Sequence, residues 1–226
     1  MNADGVALTI DDTSAHRVTA CSTDEVSARL EDLQDFLGEG PARPAYESGR
    51  VVTAKLSAAV DPRWPGFADA ALRVAGPEAS LFAVPVRTAT ETIGVLSMYK
   101  LPPGALSESL EAAQVISDAV GVALLRESAD GTWPDETVSW ASRSRVHQAT
   151  GMVIAQLGIG PDDALALLKA HAYLQDVTLD DVASQVVTRT LDFRGSDRGL
   201  GLTEAALGVI AQAPVKPTPP HEDGAH

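Results

Sequence analysis

A cation, an imidazole, a hydroxyl and a glycine recur along one stretch of this chain at helical spacing. Arg143, His147, Thr150, Gly151 and Ile154 fall at i, i+4, i+7, i+8 and i+11. At about 100° per residue these positions share one side of a helix. Arg145 and Gln148 lie on the same stretch, and Lys169 and Tyr173 follow on what reads as the next helix. Cations attract phosphates, while aromatic rings and hydrogen-bonding side chains read the unpaired bases of RNA loops. Arg143, Arg145, His147, Gln148, Thr150, Gly151, Lys169 and Tyr173 therefore form a candidate grip for an RNA hairpin. A dimer seam or a solvated face would use the same residue types.

Other chemistry finds little support. Cys21 is the single cysteine and has no second thiol to pair with. It excludes an internal disulfide framework and fits a reducing compartment. His147 and His171 lie on different helices without Cys or carboxylate at ligand spacing, so no metal site is expected. There is no nucleophile elbow, Walker loop or paired-carboxylate motif, so neither catalysis nor a cofactor is expected. Gly38 and Gly40 lack the third glycine of a dinucleotide fingerprint. They read as a helix stop and turn, or as the rim of a pocket. Trp64, Phe67, Phe82 and Tyr99 are candidates to line an apolar ligand pocket, with Arg87 placed to meet an anionic group. Plain core packing and a solvated strand end are the competing readings.

The elements that carry the first set can be read from periodicity. Val146, Ala149, Val153 and Leu157 form the apolar stripe of a helix spanning roughly Val138–Leu157, and Gly158 suits a left-handed stop. Pro161 opens a second helix, where Asp162 and Asp163 complement the positive end of the dipole. Ala164, Leu165, Leu167, Leu168 and Ala172 are its apolar face. A third helix opens at Thr178, where Thr178-Leu179-Asp180-Asp181 has the form of a capping box with Asp for Glu. Val182, Val186 and Leu191 continue its apolar side. Three such helices must pack together to hide these faces.

Ala149, Gly151, Met152, Leu157, Gly158, Asp163, Ala164, Leu168, Ala172, Leu179, Val182 and Ala183 stand in an order that resembles the ANTAR module. The resemblance covers about a quarter of the chain. It implies binding of RNA hairpins so as to favour an antiterminator. Thr150 stands where such modules often carry Lys. From Ser139 to Gly195 five cations (Arg143, Arg145, Lys169, Arg189, Arg194) face six carboxylates (Asp162, Asp163, Asp176, Asp180, Asp181, Asp192).

The N-terminal part reads as strands at Gly5–Ile10 and Arg17–Cys21, then a helix with Val26, Leu30, Leu33 and Leu37 on its apolar side. A short strand at Val51–Thr53, a helix at Ala68–Ala75, strands at Ser80–Val86 and Thr92–Tyr99, and a helix at Glu108–Glu127 follow. Paired strands with helices between predict an α+β domain with a mainly antiparallel sheet. With Leu37–Pro41 (LGEGP), Trp64–Phe67 (WPGF), Val84–Val86 (VPV) and Ile93–Lys100 (IGVLSMYK), this arrangement resembles a GAF sensor domain. It is most similar to those fused to ANTAR modules in actinobacterial regulators. The first strand begins almost at Met1, where GAF domains usually carry a further helix.

The net charge of −14 opposes general DNA coating or anionic-membrane binding. No apolar run approaches the roughly 20 residues that span a bilayer. The N-terminus MNADGVALTIDD lacks the basic start and apolar core of a signal peptide. The expected organisation is a GAF-like sensor over 1–128, a linker over 129–136, an ANTAR-like three-helix domain over 137–195 and a Pro-rich, disordered tail over 196–226 with a short helix at Leu202–Gln212. The strands and helices do not alternate in doubly wound order, so a phospho-receiver is not expected. The resemblances imply a cytoplasmic, non-enzymatic, homodimeric regulator with leader-RNA hairpins as partner and an unknown small-molecule or protein signal. The competing reading is a protein-interaction or dimerisation module that does not bind RNA, which Thr150 and the low basic charge favour.

Overall fold

The computed structural model describes residues 2–11, 17–57, 61–89, 91–103, 110–130 and 138–194. Five strands, β1 (Gly5–Asp11), β2 (Arg17–Ser22), β3 (Val52–Lys55), β4 (Ser80–Arg87) and β5 (Thr92–Lys100), form one sheet in the order β2-β1-β5-β4-β3. Every neighbouring pair is antiparallel, as the paired strands of the sequence predict. Helices α1 (Glu25–Leu37), α2 (Ala42–Ser48), α3 (Pro65–Ala75) and α4 (Leu110–Asp130) flank it.

Strand alternation sorts the side chains into two layers. Leu81 and Tyr99 pack with Leu30 of α1 and with Phe67 and Ala71 of α3. Ala83 and Val95 pack with Ala42 and Ala45 of α2. The opposite face sends Leu8, Val84, Val86, Leu96 and Met98 against Ala113 of α4.

α2 is not foreseen by the sequence reading. It has only seven residues, and its inward face is two alanines, too little apolar signal to show a period. Pro44 falls in its first turn, where the missing N–H costs no helical bond. α4 continues to Asp130, into the stretch expected as linker. Residues 131–137 and 195–226, with the expected helix at Leu202–Gln212 and the Pro-rich tail, lie outside the described residues.

The C-terminal helices are α5 (Val138–Leu157), α6 (Pro161–Gln175) and α7 (Leu179–Val187). Gly158 takes φ +68° and ends α5, Pro161 starts α6, and the chain turns by 108° between them. At α7 the Thr178 hydroxyl accepts the Asp181 amide at 3.0 Å, and the Asp181 carboxylate accepts the Thr178 amide at 3.2 Å. This is the capping box expected from the sequence. Ala149, Val153, Leu168, Val182, Ala183 and Val186 are fully buried between the three helices. Among the described residues no single helix is long and apolar enough to cross a membrane.

Candidate nucleic-acid interface

α5 has a clear outer strip. Ala149 and Val153 hold its inner side against α6 and α7, with Val146, Met152, Ile154 and Leu157 packed around them. Ser144, His147, Gln148, Gly151 and Ala155 are exposed, and their spacing of three or four residues makes the strip continuous. A Cβ at Gly151 would meet no atom within 4 Å. Glycine inside a helix costs about 1 kcal/mol relative to alanine. Neither packing nor a positive φ requires it at this position, and what it leaves is open space in the middle of the strip.

Not every candidate on α5 faces outward. Thr150 donates its hydroxyl to the Val146 carbonyl at 2.8 Å and is half-buried, as is Ile154. Arg145 reaches Asp180 on α7 at 2.5–2.6 Å. Arg143 lies on the α5 backbone; its side chain is outside the described part. Arg194 pairs with Asp192. Arg189, exposed just past α7 at φ +61°, has no ion pair among the described residues. Sequence reasoning did not single it out, because nothing in its spacing ties it to α5.

The α6 candidates are held by the sensor unit. Lys169 Nζ lies 2.5 Å from the Asp35 carboxylate of α1. The Tyr173 ring rests on Phe36, with centroids 4.9 Å apart and planes at 31°. Asp176, just past α6, pairs with Arg29. The amide of Leu179, first residue of α7, donates to Asp32 Oδ2 at 2.8 Å. Burial pushes the Asp32 carboxyl up to about 7, against the Leu179 amide and Lys169, which favour its charged form; Asp35 and Glu31 push it the same way as burial. His171 turns inward, edge-on to Phe193 at 5.5 Å. Its Nδ1 is buried without a hydrogen-bond partner, and burial lowers its pKa.

Of the five candidates for a ligand pocket, Phe67, Phe82 and Tyr99 border one small cavity, while Trp64 and Arg87 do not. Phe67 and Tyr99 belong to the core beneath α1 and α3. The Tyr99 hydroxyl donates to Asp24 at 3.1 Å, and burial together with that carboxylate pushes it up to about 12. Phe82 packs on the opposite side of the sheet with Val84 and Val86. Arg87 forks onto Asp118 of α4 at 3.1 and 2.8 Å. Trp64 lies under the Arg63 guanidinium, 4.2 Å from its ring centroid.

The space left beneath α1 is about 20 Å³, bordered by Glu31, Gln34, Phe67, Ser97 and Tyr99, enough for about one water. Glu31 fills its polar side by accepting from Thr9 at 2.8 Å and from Gln34 at 2.6 Å. A larger cavity of about 270 Å³ lies between α1, α3 and α6, among Leu33, Phe36, Val74 and Tyr173. No group of three His, Cys, Asp or Glu residues among those described is placed to hold a metal.

A GAF domain model matches residues 1–125, and the chain belongs to that family. An ANTAR domain model matches residues 139–187, so the chain couples a sensor-type domain to an ANTAR domain. No curated protein matches it. Among solved structures it is similar to the GAF domain/HD domain protein from Geobacter sulfurreducens, with 18% identity over 57% of this chain and 82% of that one and a TM-score of 0.42. The GAF domain of a phosphoenolpyruvate-protein phosphotransferase from Coxiella burnetii gives 18% identity over 57% and 76% of the two chains and a TM-score of 0.41. An RNA-binding Light-Oxygen-Voltage receptor matches 98% of this chain at 17% identity with a TM-score of 0.22, and this chain spans 59% of its length.

Proposed function

We propose that this protein is a cytoplasmic, signal-responsive transcriptional regulator. Its ANTAR domain binds leader-RNA hairpins and promotes antitermination, and its GAF domain sets when it does so. The observation that carries this reading is the outer strip of α5. It offers an imidazole, an amide and an open glycine notch on a rigid helix. A base can stack or accept a hydrogen bond there while its backbone approaches Gly151 closely. Arg143 and Arg189 supply phosphate attraction. Lys169 and Tyr173 join the grip once α1 leaves them. The functional division runs over 1–128, 129–136 and 137–195. A homodimer suits α4, whose outer side exposes Val115, Ile116 and Val122.

A second reading has its own support. The α6 face is already engaged with a protein surface through Lys169 and Tyr173, as a protein-interaction module would be. Binding of the full chain to a pool of stem-loop RNAs with randomised loops, at two salt concentrations, separates the two. An RNA reader retains specific loops, shows a linear log–log salt dependence, and loses affinity in Arg143→Ala and Lys169→Ala. An interaction module shows none of these.

A further inference from the structure

α1 is enclosed on three sides. Of its thirteen residues only Glu25 is exposed. Ser27, Glu31 and Gln34 face the sheet, and Leu30, Leu33 and Leu37 pack into the core shared with α3. The third side is different in kind. It presents Asp32, Asp35 and Phe36, at i, i+3 and i+4, to α6 and the start of α7.

What α6 and α7 offer there is an ammonium group, an aromatic ring face and a backbone amide at a helix N-terminus. Proteins hold nucleic acid with these three groups: cations and helix-terminal amides take phosphate oxygens, and rings take bases. Each is occupied by its counterpart from α1. The Asp35 carboxylate sits 2.5 Å from Lys169 Nζ, the Phe36 ring lies 4.9 Å from that of Tyr173, and the Asp32 carboxylate sits 2.8 Å from the Leu179 amide. The contact is not close-packed, since the cavity of about 270 Å³ opens beside it.

We propose that the Asp32, Asp35 and Phe36 face of α1 is an internal stand-in for RNA, the Asp35 carboxylate in place of a phosphate, an Asp32 carboxyl oxygen as acceptor for the helix amide and a ring in place of a base, which holds the α6–α7 face until it is displaced. This rests on the RNA-binding reading above. Docking of α1 and binding of RNA at α6 are then mutually exclusive. The affinity of the resting protein is reduced by the fraction of molecules that are open.

The test uses the full chain with Cys21→Ser and with Glu25→Cys and Gln175→Cys as label sites on α1 and α6. A stem-loop RNA is first selected from a randomised-loop pool. The α1–α6 distance is then measured free and RNA-saturated, and RNA affinity is compared with that of an Asp35→Lys/Phe36→Ala variant. The expected results are a short distance that lengthens when RNA saturates the wild-type chain, and a variant that is open without RNA and binds roughly tenfold more tightly. A short distance persisting in the saturated complex overturns the proposal while leaving RNA binding intact. An open variant with unchanged affinity does the same. Selection that yields no binder with either protein overturns both the RNA reading and the stand-in. The displacement arm needs only the wild-type contacts, so it stands if the variant fails to fold.

Discussion

The outer sides of α5 and α6 belong to one small module yet meet opposite surroundings. On α5, His147, Gln148 and Gly151 are open. On α6, Lys169 and Tyr173 are taken by Asp35 and Phe36 of the sensor. The same three-helix core positions both, so the difference comes from α1 and not from the module's own packing. A signal that changes how α1 sits on the sheet acts directly on the α6 face, while α5 meets the sensor separately, along β2. A ligand can do so only to the extent that it binds the open and docked states differently.

The largest effect removes both faces together. Leu168 is fully buried at the centre of the module. Leu168→Ala is expected to cost about 2–5 kcal/mol, read by chemical denaturation, with the α5 and α6 faces lost at once. Survival of the α5 strip in that variant would mean the two sides do not share one core.

The next effect separates the faces by pH. Docked, burial raises the Asp32 carboxyl to about 7; opening the contact re-exposes it to water and lowers it. The docked state therefore binds more protons between the open and docked values, and docking weakens as pH rises through that window. From pH 6 to pH 8 the docked-to-open ratio should fall. In Asp32→Asn the ratio should be flat over this range, as followed by the α1–α6 label distance.

Smaller effects concern α5 alone. Gly151→Ala enters open space and should stabilise the helix by about 0.5–1 kcal/mol, while weakening RNA binding at the notch. A rise in thermal stability without a loss of binding would remove the notch from the account. Arg145→Ala breaks an ion pair whose side chains are 34% and 38% exposed. Solvent screening limits its cost to less than about 1 kcal/mol. It should also leave the α6 face untouched, because Arg145 reaches α7 and not α1.

Much of the fold was legible. The apolar runs at Ser80–Val86 and Thr92–Tyr99, the Gly158 stop, the Pro161 start and the Thr178–Asp181 cap each act within a few residues, and local signals of that kind survive folding. α2 was not legible, since two buried alanines give no period. On α5 the exposure of His147, Gln148 and Gly151 was legible, because one helix carries its own outer strip, whereas the half-burial of Thr150 and the Arg145–Asp180 pair were not. The site was not legible on α6. Lys169 and Tyr173 look like solvent-facing residues until α1 is placed against them from more than a hundred residues away. α1 reads from its leucines as a one-sided helix, and Glu31 and Gln34 gave no sign that they would turn to the sheet. Trp64, Phe67, Phe82, Arg87 and Tyr99 could be named by type, but only Phe67, Phe82 and Tyr99 meet at one small cavity, and the Asp118 carboxylate claimed Arg87.

The asymmetry itself can be measured without RNA or any variant. Residue-resolved covalent labelling of the full chain at pH 6, where docking is favoured, reads the histidines, lysines and tyrosines side by side. The expected result is fast modification of His147, slow modification of Tyr173, and slow modification of Lys169 relative to exposed Lys55, with the Lys169-to-Lys55 ratio rising as the pH is raised to 8. Lys169 reacting as fast as exposed Lys55 at pH 6 would mean that the α6 face is as open as α5 and that α1 does not cover it.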